Sequence, residues 1–324
     1  MPKITFHLTL LCLNKLMASL KDFFSRSTGS KKVLAFDGGG VRAIAGLIFL
    51  QKLEVESGRK ISDMFDMFVG VSAGALNALC FGVNEMTAKE TKDYWAKEYI
   101  DEITSSNFFW DKASIIQARP KYENTGRIEV LKKIFYDKSL GESKKPVLTL
   151  AYDVEKRSYA IHSSYNTPGM SVISACCASS AAPIYFPSYE AEDGSWYIDG
   201  GVVCNNPSLL AYVEAKKYFQ TENIQILSIG TGVNTRKING SRSSSWGGIG
   251  WLRHDIMGIM LETGLENDLV QDILGEAYLR INSPIGKINR RLDDNSGPNL
   301  EKIHLMGMNW WDEYGKAALK FLDS

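Results

Sequence analysis

A serine set between glycines, Gly70-Val71-Ser72-Ala73-Gly74, follows the apolar run Met67-Phe68-Val69 and precedes the helix-like run Ala75-Leu76-Asn77-Ala78-Leu79-Cys80. Strand, tight turn and helix in that order push the hydroxyl out of the backbone at the positive end of a helix, where a nucleophile belongs. Gly70 and Gly74 fit because a Cβ at either place would collide with a sharply bent chain. The chemistry suggested is that of a serine hydrolase. A buried strand-to-helix turn with a small polar residue is the competing account, and at this point the two stand level.

An ester hydrolase also needs oxyanion donors and a base. Asp37-Gly38-Gly39-Gly40-Val41-Arg42 ends the apolar stretch Val33-Leu34-Ala35-Phe36. Backbone N–H groups of Gly38, Gly39 and Gly40, left bare by the missing side chains, are candidate donors together with the N–H of Ala73. Arg42 would steady this loop or draw in an anionic head group. The same glycines approximate a dinucleotide fingerprint through Ala43, with Glu56 or Asp63 about 20 residues on. A carboxylate ahead of the glycines and an arginine among them are atypical there, and the serine turn stays unexplained.

The base has two candidate origins. Of four histidines, His7, His162, His254 and His304, none sits in a recognisable loop motif. His254 or His304 satisfies the chain order Ser, Asp, His. Asp199-Gly200-Gly201 ends the short strand Trp196-Tyr197-Ile198 and places a carboxylate at the sheet end, where Asp199 itself can act as base. An exposed aspartate titrates near 4 and is a poor base. A Ser72–Asp199 dyad therefore demands a dry site, to which Val202, Val203, Trp196 and Tyr197 are the nearest apolar contributors. A turn or cap aspartate is the plainer reading of Asp199.

The elements that must hold these groups alternate. A helix over 43–56 carries Ile44, Leu47, Ile48 and Leu50 to Leu53, and 87–140 reads as helices and loops covering a sheet. Runs 146–152 and 157–161 read as a hairpin turning at 153–156. Residues 171–182 are small, 207–219 is a helix opening on a proline, and 224–229 is an apolar strand buried on both faces. The chain from 252 on reads as largely helical. Alternating strands and helices make this an α/β protein with a mainly parallel sheet.

Composition narrows the partners. The chain has 324 residues, enough for one large domain or two smaller ones, with 44% hydrophobic and 23% charged residues. Lys+Arg and Asp+Glu are both 37, so no basic footprint points to nucleic acid. Five cysteines without a C-x-x-C pair encode neither a disulfide framework nor a metal site, and Cys176-Cys177 read as small core residues. Residues 1–24 are too broken to span a membrane. They read as an untidy N-terminal helix, with a weak secretion signal or a membrane-surface helix as alternatives, and 25–30 as a linker. Trp246, Ile249 and Trp251, among glycines, either touch lipid or fold back on the domain.

Taken in order, Asp-Gly-Gly-Gly-x-Arg at 37–42, Gly-x-Ser-x-Gly at 70–74, Ala178-Ser-Ser-Ala-Ala-Pro183 with Phe186, Asp-Gly-Gly at 199–201 with Asn206-Pro207, and Ser228-Ile-Gly-Thr-Gly232 resemble the patatin-like phospholipases. The resemblance implies a three-layer α/β/α domain over 31–324, with its motifs in 33–232 and a helical part over 252–324. It implies Ser72 as nucleophile, Asp199 as proton acceptor and loop 38–40 as oxyanion hole. Arg42, Gly70, Gly74, Gly200 and Gly201 are the supporting motif positions. It implies cleavage of acyl esters in phospholipids or galactolipids, without calcium or another cofactor, by a cytoplasmic or peripheral protein touching membrane lipids. Ala43 and Ala75 depart from the family's usual glycines; both are small enough to keep the turns, and head-group preference is left open. A silent lipid-binding or effector protein on the same fold is the rival class, with a dinucleotide-binding protein third.

Overall fold

Residues 29–104, 119–253, 258–259 and 264–324 are described by the structure, a computed structural model. The 1–24 stretch, Cys12, His7 and His254 lie outside them. In chain order the strands are β1 (Lys31–Phe36), β2 (Met67–Val71), β3 (Val147–Asp153), β4 (Ser158–Ser163), β5 (Tyr189–Glu190), β6 (Trp196–Asp199), β7 (Ile224–Ile229) and β8 (Tyr278–Ile281). The longer helices are α1 (Ile44–Ser57), α2 (Ala73–Asn84), α3 (Asn124–Phe135), α4 (Val172–Ser179), α5 (Ser208–Phe219), α6 (Leu265–Leu274) and α7 (Gly297–Asp323).

Alternation along β1 builds the layers. Leu34 and Phe36 point to one face, packing with α1, α2 and α7, whose Leu47, Leu50, Leu79, Phe81 and Trp310 are buried. Val33 and Ala35 point to the other, against Ala211 and Ala215 of α5 and Val270 of α6. Both faces are covered, which is why β1, β2 and β7 read as continuous apolar runs. Phe36, Phe68 and Phe81 stack at 5.7 and 5.9 Å between ring centres. Burying each such ring is worth ~1.5–3 kcal/mol. The expected α/β/α layering and mainly parallel sheet are both present.

The sheet runs β5-β6-β3-β2-β1-β7-β8, with β4 paired to β3. From β3 to β8 the pairs are parallel; β4, β5 and β6 add antiparallel ones. One edge of β3 is shared. Its first half pairs with β2, ending at Val71↔Leu150, and its second half with β6, beginning at Asp199↔Ala151. β4 occupies the opposite edge, so β2 and β6 meet end to end in one lane.

The C-terminal part departs from the helical expectation over 252–324: it contains β8, which extends the parallel sheet beside β7. Four residues are too few for a clear period, and Arg280 in their middle reads against a buried strand. The hairpin turn at 153–156 is held by the Asp153 carboxylate, which accepts from the Glu155 and Lys156 N–H groups at 3.1 and 2.8 Å. Trp246 and Trp251 pack edge to face at 5.3 Å. Among the described residues no helix is long and apolar enough to cross a membrane.

Candidate active site

Because β2 and β6 abut along β3, the residue after Val71 and the last residue of β6 converge. They are Ser72 and Asp199. Ser72 caps α2 with φ 56° and ψ −125°, a conformation a non-glycine residue adopts only under constraint. The constraint is visible: its N–H donates to Ser179 Oγ at 3.1 Å, and Ser179 Oγ–H donates to the Leu150 carbonyl at 2.6 Å. A Cβ on Gly70 would lie 2.2 Å from the Gly74 carbonyl oxygen, so the elbow itself requires that glycine. A Cβ on Gly74 would strike instead the Phe36 carbonyl oxygen at 2.5 Å, because the end of β1 presses against the turn.

Asp199 is buried, at 5% exposure. Its Oδ1 accepts from the Gly201 N–H at 2.7 Å, and Gly200 turns tightly under the Leu150 carbonyl, where a Cβ would come within 2.1 Å. Burial pushes its carboxyl up to about 6, against the opposing pull of the Ser72 hydroxyl, the Gly201 N–H and the Arg127 charge. Of the apolar contributors expected around it, Tyr197 is buried, whereas Val203 is 41% exposed and contributes little dryness.

The glycine loop ends β1 beside the elbow. Gly38 lies so close that its Cβ would be 3.0 Å from that of Ser72. Its N–H, expected as an oxyanion donor, already donates to the Asn205 carbonyl at 3.2 Å, and its carbonyl accepts from Thr231 Oγ1 at 2.7 Å. Gly38 is thus an anchored spacer. Gly39 and Gly40 have no protein acceptor for their N–H groups among the described residues. Nor does Ala73, in the first turn of α2, where helical N–H groups are unspent. Gly40 has φ +57° and sits under Leu292, whose carbonyl accepts from the Val41 N–H at 2.9 Å. Arg42 is buried, its Nε donating to the Gly39 carbonyl at 3.5 Å. It steadies the loop and is not placed to attract a head group from solvent. The Val41 and Arg42 N–H groups are spent on Leu292 and Gly39, and Glu56 and Asp63 are exposed, an arrangement that lends the dinucleotide alternative no support.

Ser72 opens into a cavity of about 120 Å³. Leu76, Trp95, Ile100, Ile103, Leu131 and Phe186 make its walls largely apolar. Four of these come from the 87–140 region, which therefore shapes the pocket as well as covering the sheet. Arg127 and Asp293 also reach it. The histidines within the described residues stand apart: His304 is exposed on α7, and His162 is buried on β4, across β3 from β6. Burial pushes the His162 imidazole down to about 4, and its ring meets Tyr197 at 4.9 Å. Cys80, Cys176 and Cys177 are buried free thiols, as expected, with proton affinity raised by burial.

Two arginines that sequence reading passed over matter here. Arg280 of β8 makes a two-pronged bond to the Asp37 carboxylate, with one contact at 2.7 Å, and also donates to Ser228 Oγ at 2.7 Å. Arg127 of α3 stacks on Phe186 at 4.5 Å. Neither belongs to a local motif; only the pairing of β8 with β7 and the packing of α3 on α4 bring them in.

A family model described as patatin-like phospholipase matches residues 34–212. Patatin-like protein 4 of Arabidopsis thaliana is 27% identical over 330 residues, covering 85% of this chain and 82% of its own. A protein named cGAMP-activated phospholipase, from Pseudomonas aeruginosa, is 28% identical over 272 residues, or 77% of each chain. Among solved structures, VipD from Legionella pneumophila superposes with a TM-score of 0.53 at 15% identity, over 92% of this chain and 67% of that one, a likeness of fold.

Proposed function

The chain belongs to the patatin-like phospholipase family, and from that premise we propose that it hydrolyses acyl esters of phospholipids or galactolipids through a Ser72–Asp199 dyad. The observation that supports this best is the meeting of β2 and β6 on one edge of β3, which puts a strained serine beside a buried carboxylate.

In this reading Asp199 takes the proton from Ser72 Oγ as the oxygen attacks the acyl carbonyl. The carbonyl electrons move onto oxygen, which is held by the N–H groups of Gly39, Gly40 and Ala73. Collapse expels the lipid alkoxide, which leaves with the proton carried by Asp199. Water, deprotonated by Asp199, then attacks the acyl-enzyme, and Ser72 recovers its proton. The acyl chain lies in the cavity walled by Leu76, Ile100 and Leu131.

Fatty-acid release from vesicles of phosphatidylcholine or galactolipid tests it. Ser72→Ala should lower kcat by a factor of order 10⁶. Asp199→Asn should lower it about 10⁴-fold if the loss matches that of a triad aspartate. Undiminished release in either variant sinks the dyad. Because the base must be ionised, kcat/KM should fall as pH drops below about 6, where burial has moved Asp199. The same shift has a stability consequence of opposite sense. The folded carboxyl titrates above its ordinary 3.8, so its protonated form favours the fold, and that contribution fades as pH rises through about 6. Asp199→Asn should therefore melt higher than wild type at pH above 6, with the gain vanishing in acid.

A further inference from the structure

Arg127 is 4% exposed, yet it lines the cavity that opens from Ser72. Its partners are all neutral. Nη1 donates to Ser180 Oγ at 3.0 Å, Nη2 to Asn124 Oδ1 at 2.6 Å, and the guanidinium lies over the Phe186 ring. Nε is buried without an acceptor. Among the described residues no carboxylate pairs with it. Arg280, half-buried, has Asp37; Asp293, at the rim of the same cavity, has Lys121 and Arg291. An arginine enclosed without a counter-charge is costly, because neutral dipoles and a ring face replace only part of its hydration. Such a group is completed by an anion that enters with its own charge.

We infer that Arg127 binds the phosphate of a glycerophospholipid whose ester lies at Ser72, and so selects phospholipid over galactolipid. This rests on the hydrolase reading above. The planar fork of a guanidinium matches phosphate oxygens, and Nη1 and Nη2 each carry a second N–H beyond the one given to Ser180 or Asn124. Its place is set by the chain: Arg127 holds Ser180, whose neighbour Ser179 holds the Ser72 N–H. Phosphate and scissile ester belong to the same glycerol unit, whereas a galactolipid carries a neutral sugar there. The other role open to Arg127 is to tune Asp199, which feels its charge. Tuning would act on every ester alike; phosphate binding acts on one class.

The test compares wild type, Arg127→Gln and Arg127→Lys on phosphatidylcholine and on digalactosyldiacylglycerol with the same acyl chains. Circular dichroism shows whether each variant is folded. Arg127→Gln should lose roughly tenfold to hundredfold more kcat/KM on the phospholipid than on the galactolipid, the scale of a charge-assisted hydrogen bond. Arg127→Lys should fall between. Equal losses on both lipids, or a pH limb displaced equally on both, overturn the inference. Should wild type cut neither lipid, the hydrolase reading fails, and binding decides the anion site alone. Calorimetric titration with an ether-linked dodecyl glycerophosphocholine, which has no ester to cut, and with dodecylglycerol supplies that readout. A preference for the phosphate lipid that disappears in Arg127→Gln supports the site, and a preference that survives overturns it.

Discussion

The loop at 38–40 separates two regions of opposite construction. On the Ser72 side lies a cavity walled by Leu76, Trp95, Ile100, Ile103 and Leu131, largely apolar apart from a few groups such as Arg127 and Asp293. On the other side a chain of polar contacts runs from the Asp37–Arg280 pair through Ser228 Oγ to Ser208 Oγ at 2.7 Å and on to Asn206 Oδ1 at 2.5 Å. Thr231 Oγ1 fastens the Gly38 carbonyl from that same side. The apolar side leaves its occupant free to slide and exchange, because dispersion is non-directional. The polar side fixes positions, because buried hydrogen bonds are directional and expensive to break. A donor loop between them can meet a mobile lipid tail while its own N–H groups stay aimed.

Cutting the polar side should have the largest effect. Arg280→Met strands the buried Asp37 carboxylate, and the expected loss is 3–5 kcal/mol of stability, about what breaking a buried ion pair costs. Urea unfolding measures it. A loss below about 1 kcal/mol would mean that the network is ornamental and the contrast between the two sides is false.

Altering the loop itself comes next. At Gly40 a side chain would need φ +57° and would strike the Leu292 carbonyl, so Gly40→Ala should displace a donor and cost about 2.7–4 kcal/mol in activation free energy. Steady-state kinetics on a soluble ester, beside a melting curve, separates this from unfolding. Full turnover in a folded variant would take Gly40 out of the oxyanion hole.

The apolar side should respond most mildly. Leu131→Phe narrows the cavity without adding charge, and overpacking of this kind costs about 1–3 kcal/mol. The expected outcome is a shift of kcat/KM toward shorter acyl chains with a modest fall in urea midpoint. An unchanged chain-length profile would place the acyl chain somewhere else.

Much of this was legible in the chain. The glycines of the elbow and loop announce themselves by type and spacing, although Gly74 is crowded by Phe36 and Gly40 by Leu292, both distant in sequence; local crowding alone is the rarer case. Gly70 against Gly74 is such a case. Gly38 was legible as a glycine but not in its role: its N–H is spent on Asn205, 167 residues away in sequence. Val203 looked like an apolar wall beside Asp199 and is turned outward. Strand β8 was hidden because its one charged residue is neutralised by the Asp37 carboxylate just after β1, a compensation no local window contains.

By itself the sequence determined the alternation of strand and helix, the elbow at Ser72, the glycine loop and the strand end at Asp199, all features written in residue type and local spacing. Tertiary structure alone decided that β2 and β6 share one edge of β3, that Asp199 is dry enough to be pushed up to about 6, and that Arg127 stands enclosed without a counter-charge. The reason is physical. Burial and charge compensation depend on which distant segments fill the space around a group, and that is settled only when the sheet closes and the helices pack.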